Sequence, residues 1–139
     1  MNKKKGMRII WIAILFLGFS IIILVYLRFS YPEFRYWFDA HFNGRKEHIS
    51  YLINENDTKK YTIPLPPHTA FAYKTSDTAC TYYTYANLVQ FFNYYRNMGY
   101  EVEDAIVTSK EGNKFKIMII YSGEGEKGNF ISIDFVNEQ

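Results

Sequence analysis

The chain has 139 residues and a formal net charge of +2, but the charge is distributed unevenly. Residues 1–28 contain five Lys or Arg and no acidic residue, so residues 29–139 hold 11 Lys or Arg against 14 Asp or Glu, a formal charge of −3. This acidic balance argues against a nucleic-acid partner, which requires a concentrated basic surface. Cys80 is the only cysteine, which excludes an intrachain disulfide.

Residues 9–27 form an almost unbroken apolar run of nineteen, in which Ser20 is the polar exception. At about 1.5 Å per residue, a helix of this length spans about 28 Å, close to the ~30 Å hydrocarbon core of a bilayer. The Ser20 hydroxyl can bond back to its own helix. The run therefore predicts a transmembrane helix over 9–27, preceded by a basic tail over 1–8, with the lipid bilayer as a partner.

The flanking charges predict the orientation of this helix. Four cationic residues, Lys3 to Lys5 and Arg8, precede the run, and Arg28 and Arg35 follow it. The positive-inside rule then places the N-terminus in the cytoplasm and residues 28–139 outside. The alternative is a cleaved signal peptide, whose apolar region should have about 7–15 residues and end in small residues. Cleavage after Ser20 would leave an apolar new terminus, so the pattern favours an uncleaved signal anchor in the cell membrane.

Residues 28–66 are predicted to form an aromatic juxtamembrane segment followed by a Pro-rich linker. A helix should begin near Pro32, because proline favours the first helical turn. One face of this helix then carries aromatic rings at helical spacing, namely Phe34, Trp37, Phe38 and His41. Such a face indicates an aromatic belt at the membrane interface, with a docking surface for a membrane partner as the alternative. The prolines at 64, 66 and 67 favour a stiff, extended boundary.

Residues 67–139 predict a compact α+β domain with one helix packed on a mainly antiparallel sheet. The helix is expected over 88–98, where apolar residues recur at helical spacing, and Gly99 should end it. Strand-like segments give the order β-β-α-β-β-β, with residues 69–74 and 79–85 before the helix and residues 100–103 with 105–107, 115–121 and 131–135 after it. Both sheet faces carry apolar residues, so residues 49–63 or another protein should cover the second face.

Three short motifs in this domain resemble small bacterial extracytoplasmic domains. They are the strand Tyr82-Tyr83-Thr84-Tyr85, the helical pair Phe91-Phe92, and Gly99-Tyr100-Glu101-Val102 after the helix. The resemblance covers about residues 64–136 and implies an α+β fold outside the cytoplasm, anchored by a lipoprotein signal or one membrane helix. This chain has Phe92 where tyrosine is usual and lacks a lipid-modified cysteine. Most such domains have no assigned activity, so the resemblance implies no site residue.

Few residues suggest chemistry. The three histidines, His41, His48 and His68, have no cysteine or paired carboxylate at ligand spacing, so no metal site is predicted. Cys80 lacks an activating context, and Glu101 and Glu103 fall on one side of a strand that is expected to be solvated. The Gly123–Gly128 loop lacks the Gly-Lys-Ser/Thr ending of a phosphate loop. No catalytic residue and no cofactor is therefore predicted.

Tyrosine provides the one functional indication, because thirteen are present and several surround the predicted helix. Tyrosine is amphipathic, rigid and enriched at binding surfaces. The predicted interaction surface is Tyr82, Tyr83, Tyr85 and Trp37. We therefore expect a non-enzymatic, membrane-anchored interaction domain of the cell envelope that contacts another envelope protein or a glycan. A glycan or peptidoglycan binding module is the first alternative, and a small membrane-tethered hydrolase is the second.

A C-terminal fusion tests the predicted topology. Because cationic residues are concentrated before the apolar run, a reporter enzyme that is active only outside the cytoplasm should be active when fused after residue 139. The matched control is a reporter that is active only in the cytoplasm, fused at the same position. Activity of that control, with none from the first fusion, would contradict the topology.

Overall fold

The computed structural model describes residues 3–54, 57–123 and 128–136, and the chain divides into two compact units, one ending at Arg35 and one beginning at Tyr36. In the first unit, α1 spans Lys3–Ser30. Its segment Lys5–Ser30 is long and apolar enough to cross a membrane. As expected from the sequence, the Ser20 hydroxyl donates to the Phe16 carbonyl at 2.9 Å, so the polar group is satisfied inside the helix. The predicted apolar N-terminal helix is confirmed.

The next helix, α2, begins at the predicted proline and spans Pro32–Phe42. The elements that follow it are β1 Glu47–Asn54, β2 Asp57–Pro64, β3 Thr69–Lys74, β4 Ala79–Thr84, α3 Leu88–Asn97, β5 Glu101–Glu103, β6 Ile106–Thr108, β7 Lys114–Tyr121 and β8 Asn129–Phe135. Strands β3 to β8 form one six-stranded sheet in the order β3-β4-β8-β7-β6-β5, and every neighbouring pair is antiparallel. The predicted α+β class and antiparallel sheet are confirmed.

The predicted strand order β-β-α-β-β-β is wrong in one respect. Residues 101–108 form two paired strands, so the order is β-β-α-β-β-β-β. Asp104 and Ala105 make the tight turn between them and have positive φ values of 46° and 67°. Two consecutive left-handed residues are the requirement of a type I′ two-residue hairpin turn, and the sequence Asp-Ala gives only a weak signal for it because glycine usually takes the second position.

A second, two-stranded sheet, the β1–β2 hairpin, occupies much of the segment predicted to be a linker. Pro64 ends β2, a position that a strand in a two-stranded sheet tolerates because it has a free edge. Ile63 and Leu65 flank this proline and are 2% and 4% exposed. The Pro-rich segment thus contributes directly to the core of the second unit.

The main core lies between the sheet, α3 and the β1–β2 hairpin. Phe91 and Tyr95 of α3 are fully buried in it. Burial of each large side chain stabilises the fold by about 2–3 kcal/mol. The Tyr95 hydroxyl donates to the Pro64 carbonyl at 2.9 Å and so fastens the end of the hairpin to α3. The other buried members of this core are Ile63, Leu65, Tyr82, Val107, Phe115, Ile117, Ile131, Ile133 and Phe135.

The opposite face of the sheet is covered near β4 by α2. Successive residues of a strand point to opposite faces, so Tyr83 lies on the face away from Tyr82. Ala40 of α2 forms a buried cluster there with Ala70 and Tyr83, and the Tyr36 ring stacks on Tyr83 with 5.3 Å between ring centroids. Residues 49–63 do not cover this part of the second face, because Tyr61 and Ile63 of the hairpin pack into the main core and α2 contacts the other face. The alternative, that another protein covers the rest of this face, stays a prediction, since Met118 on β7 is 40% exposed.

The ends of α3 follow the sequence signals. Asn87 caps the start of the helix in a capping box, since its side chain accepts from the Gln90 N–H and the Gln90 side chain accepts from the Asn87 N–H. After the helix, Gly99 has a φ of 81°, and its N–H donates to the Arg96 carbonyl at 2.9 Å. Glycine adopts this left-handed conformation without the steric cost that a Cβ imposes.

The substitution Gly99→Ala should therefore lower the free energy of unfolding by about 1 kcal/mol or more. An added Cβ would also lie 3.1 Å from the Lys110 Cε, which belongs to a flexible side chain and can move. Urea unfolding of the full chain in detergent measures the change. Gly99→Asn is the matched control and should lose less, because asparagine tolerates the left-handed region better. Equal losses for the two variants would contradict the backbone explanation.

Candidate functional site

The four residues of the predicted interaction surface separate into a buried pair and an exposed pair. Tyr82 is 0% exposed and Tyr83 is 7% exposed, so both belong to the core and the prediction that they form a surface is wrong. Trp37 and Tyr85 are 39% and 37% exposed. Only this second pair is available to a partner in the structure, and its binding role stays a prediction.

Trp37 and Tyr85 meet at one histidine. His41 lies one helical turn after Trp37 on α2, and its ring centroid is 5.0 Å from that of Trp37, 5.5 Å from that of Tyr85 and 4.8 Å from that of His68. The His41 Nδ1 is 2.8 Å from the Trp37 carbonyl oxygen, and because that oxygen can only accept, Nδ1 carries the proton. We call these four residues the aromatic cluster.

A groove of about 460 Å³ opens beside the aromatic cluster and shares His41 and His68 with it. Small-molecule sites commonly enclose about 300–1,000 Å³, so the volume suits a small ligand or one unit of a polymer. We call it the basic groove. Its lining residues are Ala40, His41, Phe42, Gly44, Arg45, Lys46, Leu65, Pro66, Pro67, His68, Thr69 and Tyr94.

Three backbone constraints shape the basic groove. A Cβ at Gly44 would lie 2.7 Å from the Thr69 carbonyl oxygen, so glycine is required where the chain after α2 passes β3. The Leu65 N–H donates to the Lys46 carbonyl at 2.8 Å. Together with the bond from the Tyr95 hydroxyl to the Pro64 carbonyl, these contacts hold residues 44–46 close to residues 64–69.

His68 has an unusual backbone conformation at the rim of this groove. Its φ is 56°, in the left-handed region that few residues other than glycine occupy. Such a conformation costs on the order of 1 kcal/mol or more and is concentrated at functional sites and tight turns. The turn thereby places the exposed imidazole of His68 against His41.

The charged residues of the groove have one sign. Arg45 and Lys46 are both exposed, and none of the twelve described residues that line the groove is acidic. The Arg45 guanidinium lies over the Phe71 ring at 4.5 Å, a cation–π contact that fixes its position. The groove is therefore a local positive surface in a region, residues 29–139, whose formal charge is −3.

The other residues considered for chemistry are not assembled into a reactive group. Burial raises the pKa of the Cys80 thiol, which disfavours the thiolate that a nucleophile needs. Glu101 and Glu103 are exposed on β5, an edge strand, as the sequence predicted. Among the described residues, no group of three or more His, Cys, Asp or Glu is close enough to hold a metal ion. Most of the Gly123–Gly128 loop lies outside the described residues.

His48 is the one buried histidine. It is 0% exposed, its Nδ1 lies 2.6 Å from the Tyr82 hydroxyl oxygen, and its ring stacks on Phe135 with 5.5 Å between centroids. Burial lowers the pKa of His48 from 6.5 to about 4, and the Thr78 backbone opposes this shift only in part. The neutral imidazole is thus a structural part of the core that joins β1 to β4.

The domain should lose stability in acid because of His48. Above about pH 7.5 the His48 imidazole is neutral in both the folded and the unfolded chain. As the pH falls, the unfolded chain binds a proton near pH 6.5, whereas the folded chain binds it only near pH 4. Protonation of the unfolded state should lower the free energy of unfolding by about 2 kcal/mol at about pH 5.

Urea unfolding of the wild type and of His48→Gln at both pH values isolates this contribution, because glutamine does not titrate but can still bond to Tyr82. His41→Gln is the matched control at an exposed histidine. The assignment is contradicted if His48→Gln loses as much stability on acidification as the wild type does.

Comparisons of the chain with protein-family models, with curated protein sequences and with solved structures found no match. The resemblance to small extracytoplasmic domains stays a prediction.

Proposed function

We propose that the protein is a single-pass, membrane-anchored interaction domain of the cell envelope, with its N-terminus in the cytoplasm and its α+β domain outside. The apolar side chains along α1 are exposed, for example Phe16 at 73%, as suits a helix surrounded by lipid. The cationic residues before this helix support the orientation.

The observation that carries the proposal is the aromatic cluster. Trp37 comes from α2 and Tyr85 directly follows β4, and both remain partly exposed while contacting His41. Rigid aromatic side chains that project from a fixed scaffold are the residues in which binding energy is usually concentrated. Burial and the neighbouring Tyr83 hydroxyl raise the pKa of Tyr85, so its hydroxyl stays protonated and can donate a hydrogen bond to a partner.

The chemistry of the described residues favours binding over catalysis. The polar residues that line the basic groove are two histidines, an arginine, a lysine, a threonine and a tyrosine. The raised pKa of Cys80 disfavours covalent catalysis by the thiol. We therefore propose a non-enzymatic role in which the anchor supplies location and the cluster supplies contact.

A glycan-binding module is the second candidate, and the basic groove is the observation that favours it. The groove is concave, has a volume of about 460 Å³ and presents the rings of Phe42, Tyr94 and Pro67. Flat apolar rings suit the carbon-bound hydrogen face of a sugar, while nearby polar groups fix its orientation. An envelope protein partner would instead cover the aromatic cluster as a flatter surface.

Photocrosslinking in intact cells tests the proposed surface. A photoreactive amino acid placed at Trp37 or Tyr85 should crosslink to an envelope component, because both side chains are exposed within one cluster. Trp37→Ala and Tyr85→Ala should each reduce crosslinking from the other position by about tenfold, the usual effect of removing an aromatic anchor.

Tyr73 is the matched control, since it is 45% exposed on β3 and is not a member of the cluster. A photoreactive residue there should yield little product, and Tyr73→Ala should leave crosslinking from position 85 unchanged. Equal crosslinking from positions 73, 85 and 37 would show that the cluster is not the interaction surface.

A further inference from the structure

We infer that the basic groove binds an anionic sugar, one that carries a phosphoryl or a carboxylate group. This inference rests on the glycan-binding form of the proposed function and adds the charge and the binding residues of the ligand. Its starting point is the one-sided charge of the groove, in which Arg45 and Lys46 stand beside two imidazoles and no acidic residue is part of the described lining.

Charge complementarity favours an anion over a neutral ligand. Residues 29–139 contain more acidic than basic residues, so a cationic cluster there is a local departure from the surrounding surface. Arginine and lysine form charge-assisted hydrogen bonds with phosphoryl and carboxylate oxygens that are about twice as strong as neutral ones. Arginine adds a planar pair of donors, and the Phe71 ring at 4.5 Å holds its guanidinium in place.

The rest of the lining favours a sugar over a bare ion. A free phosphate needs only a small cradle of donors, whereas the groove has a volume of about 460 Å³ and includes an apolar surface. Tyr94 and Phe42 contribute aromatic rings from α3 and α2, and Pro67 contributes an exposed ring from the turn before β3. A ligand with a charged group and an apolar face matches both parts of this surface.

The strained conformation of His68 supports a ligand role for the turn. Its left-handed backbone, with a φ of 56°, brings its ring to 4.8 Å from that of His41, at the end of the groove next to the aromatic cluster. The His68 side chain is exposed at this rim and is therefore accessible to a ligand. A ligand contact gives the placement of this imidazole a function.

Intrinsic fluorescence of Trp37 provides a direct test. The chain contains two tryptophans, so Trp11→Phe makes Trp37, 5.0 Å from His41, the single reporter. The full chain carrying Trp11→Phe, held in detergent, is titrated with glucose 1-phosphate, glucuronate, glucose and inorganic phosphate, and isothermal titration calorimetry repeats each titration. Saturable binding of the two anionic sugars, with weaker binding of glucose and of inorganic phosphate, is the expected result.

Variants locate the site. Lys46→Glu should weaken binding of glucose 1-phosphate by about tenfold or more, because it replaces a cation with an anion. His68→Asn should weaken it without unfolding the turn, since asparagine also tolerates a positive φ. Lys60→Glu is the matched control, because Lys60 is an exposed lysine on β2 that does not line the groove, and it should bind as the wild type does.

Several outcomes would overturn the inference. No saturable binding by either method up to about 10 mM sugar would exclude the ligand class, since even a millimolar site would fill at that concentration. If glucose bound as tightly as the anionic sugars, the ligand would not need a charge. If inorganic phosphate bound as tightly as glucose 1-phosphate, the sugar would not be recognised. If Lys60→Glu weakened binding of glucose 1-phosphate as much as Lys46→Glu does, the binding would be nonspecific electrostatic attraction. Each of these results would overturn the anionic-sugar inference. If crosslinking at Trp37 and Tyr85 were still observed, the proposed interaction domain would remain supported.

Discussion

The structure of the second unit depends on the need to cover a six-stranded antiparallel sheet that is apolar on both faces. One face carries Tyr82, Ile131 and Ile133 and is covered by α3 and the β1–β2 hairpin. The other face carries Tyr83 and Ala70 and is contacted by α2 through Tyr36 and Ala40. Leaving such a surface exposed to water lowers the stability of a domain this small, so segments outside the sheet cover part of it, while Met118 and Tyr121 on β7 remain 40% and 56% exposed.

This two-sided covering determines where the basic groove lies. The chain covers one face with α2 and the other with the hairpin, and between them it passes β3, which is an edge strand of the sheet. Gly44 permits the close passage, because a Cβ there would collide with the Thr69 carbonyl oxygen. The groove forms where this crossing meets the turn that precedes β3, so a packing requirement places Arg45, Lys46 and His68 together.

The two histidine environments illustrate how position decides chemical role. His48 is enclosed by Tyr82 and Phe135, and the cost of burying a charge keeps it neutral as a core residue. His41 and His68 are exposed and face each other at the groove. Nothing in the spacing of these residues along the chain distinguishes the buried ring from the exposed pair, although all three lie within 28 residues of sequence.

The sequence by itself determined the features that depend on local interactions. The apolar run predicted α1, the spacing of Phe91 and Tyr95 predicted α3, and Gly99 marked its end, because periodicity and backbone sterics act over a few residues. Only the tertiary structure decided that Tyr82 is core while Tyr85 is exposed, that Ile63 and Leu65 beside Pro64 are buried in the main core, and that His41 contacts His68. These outcomes depend on which distant segment packs on each face of the sheet. A strand pattern with apolar residues on both faces does not specify that segment, because either face could be packed against α2, α3 or the hairpin.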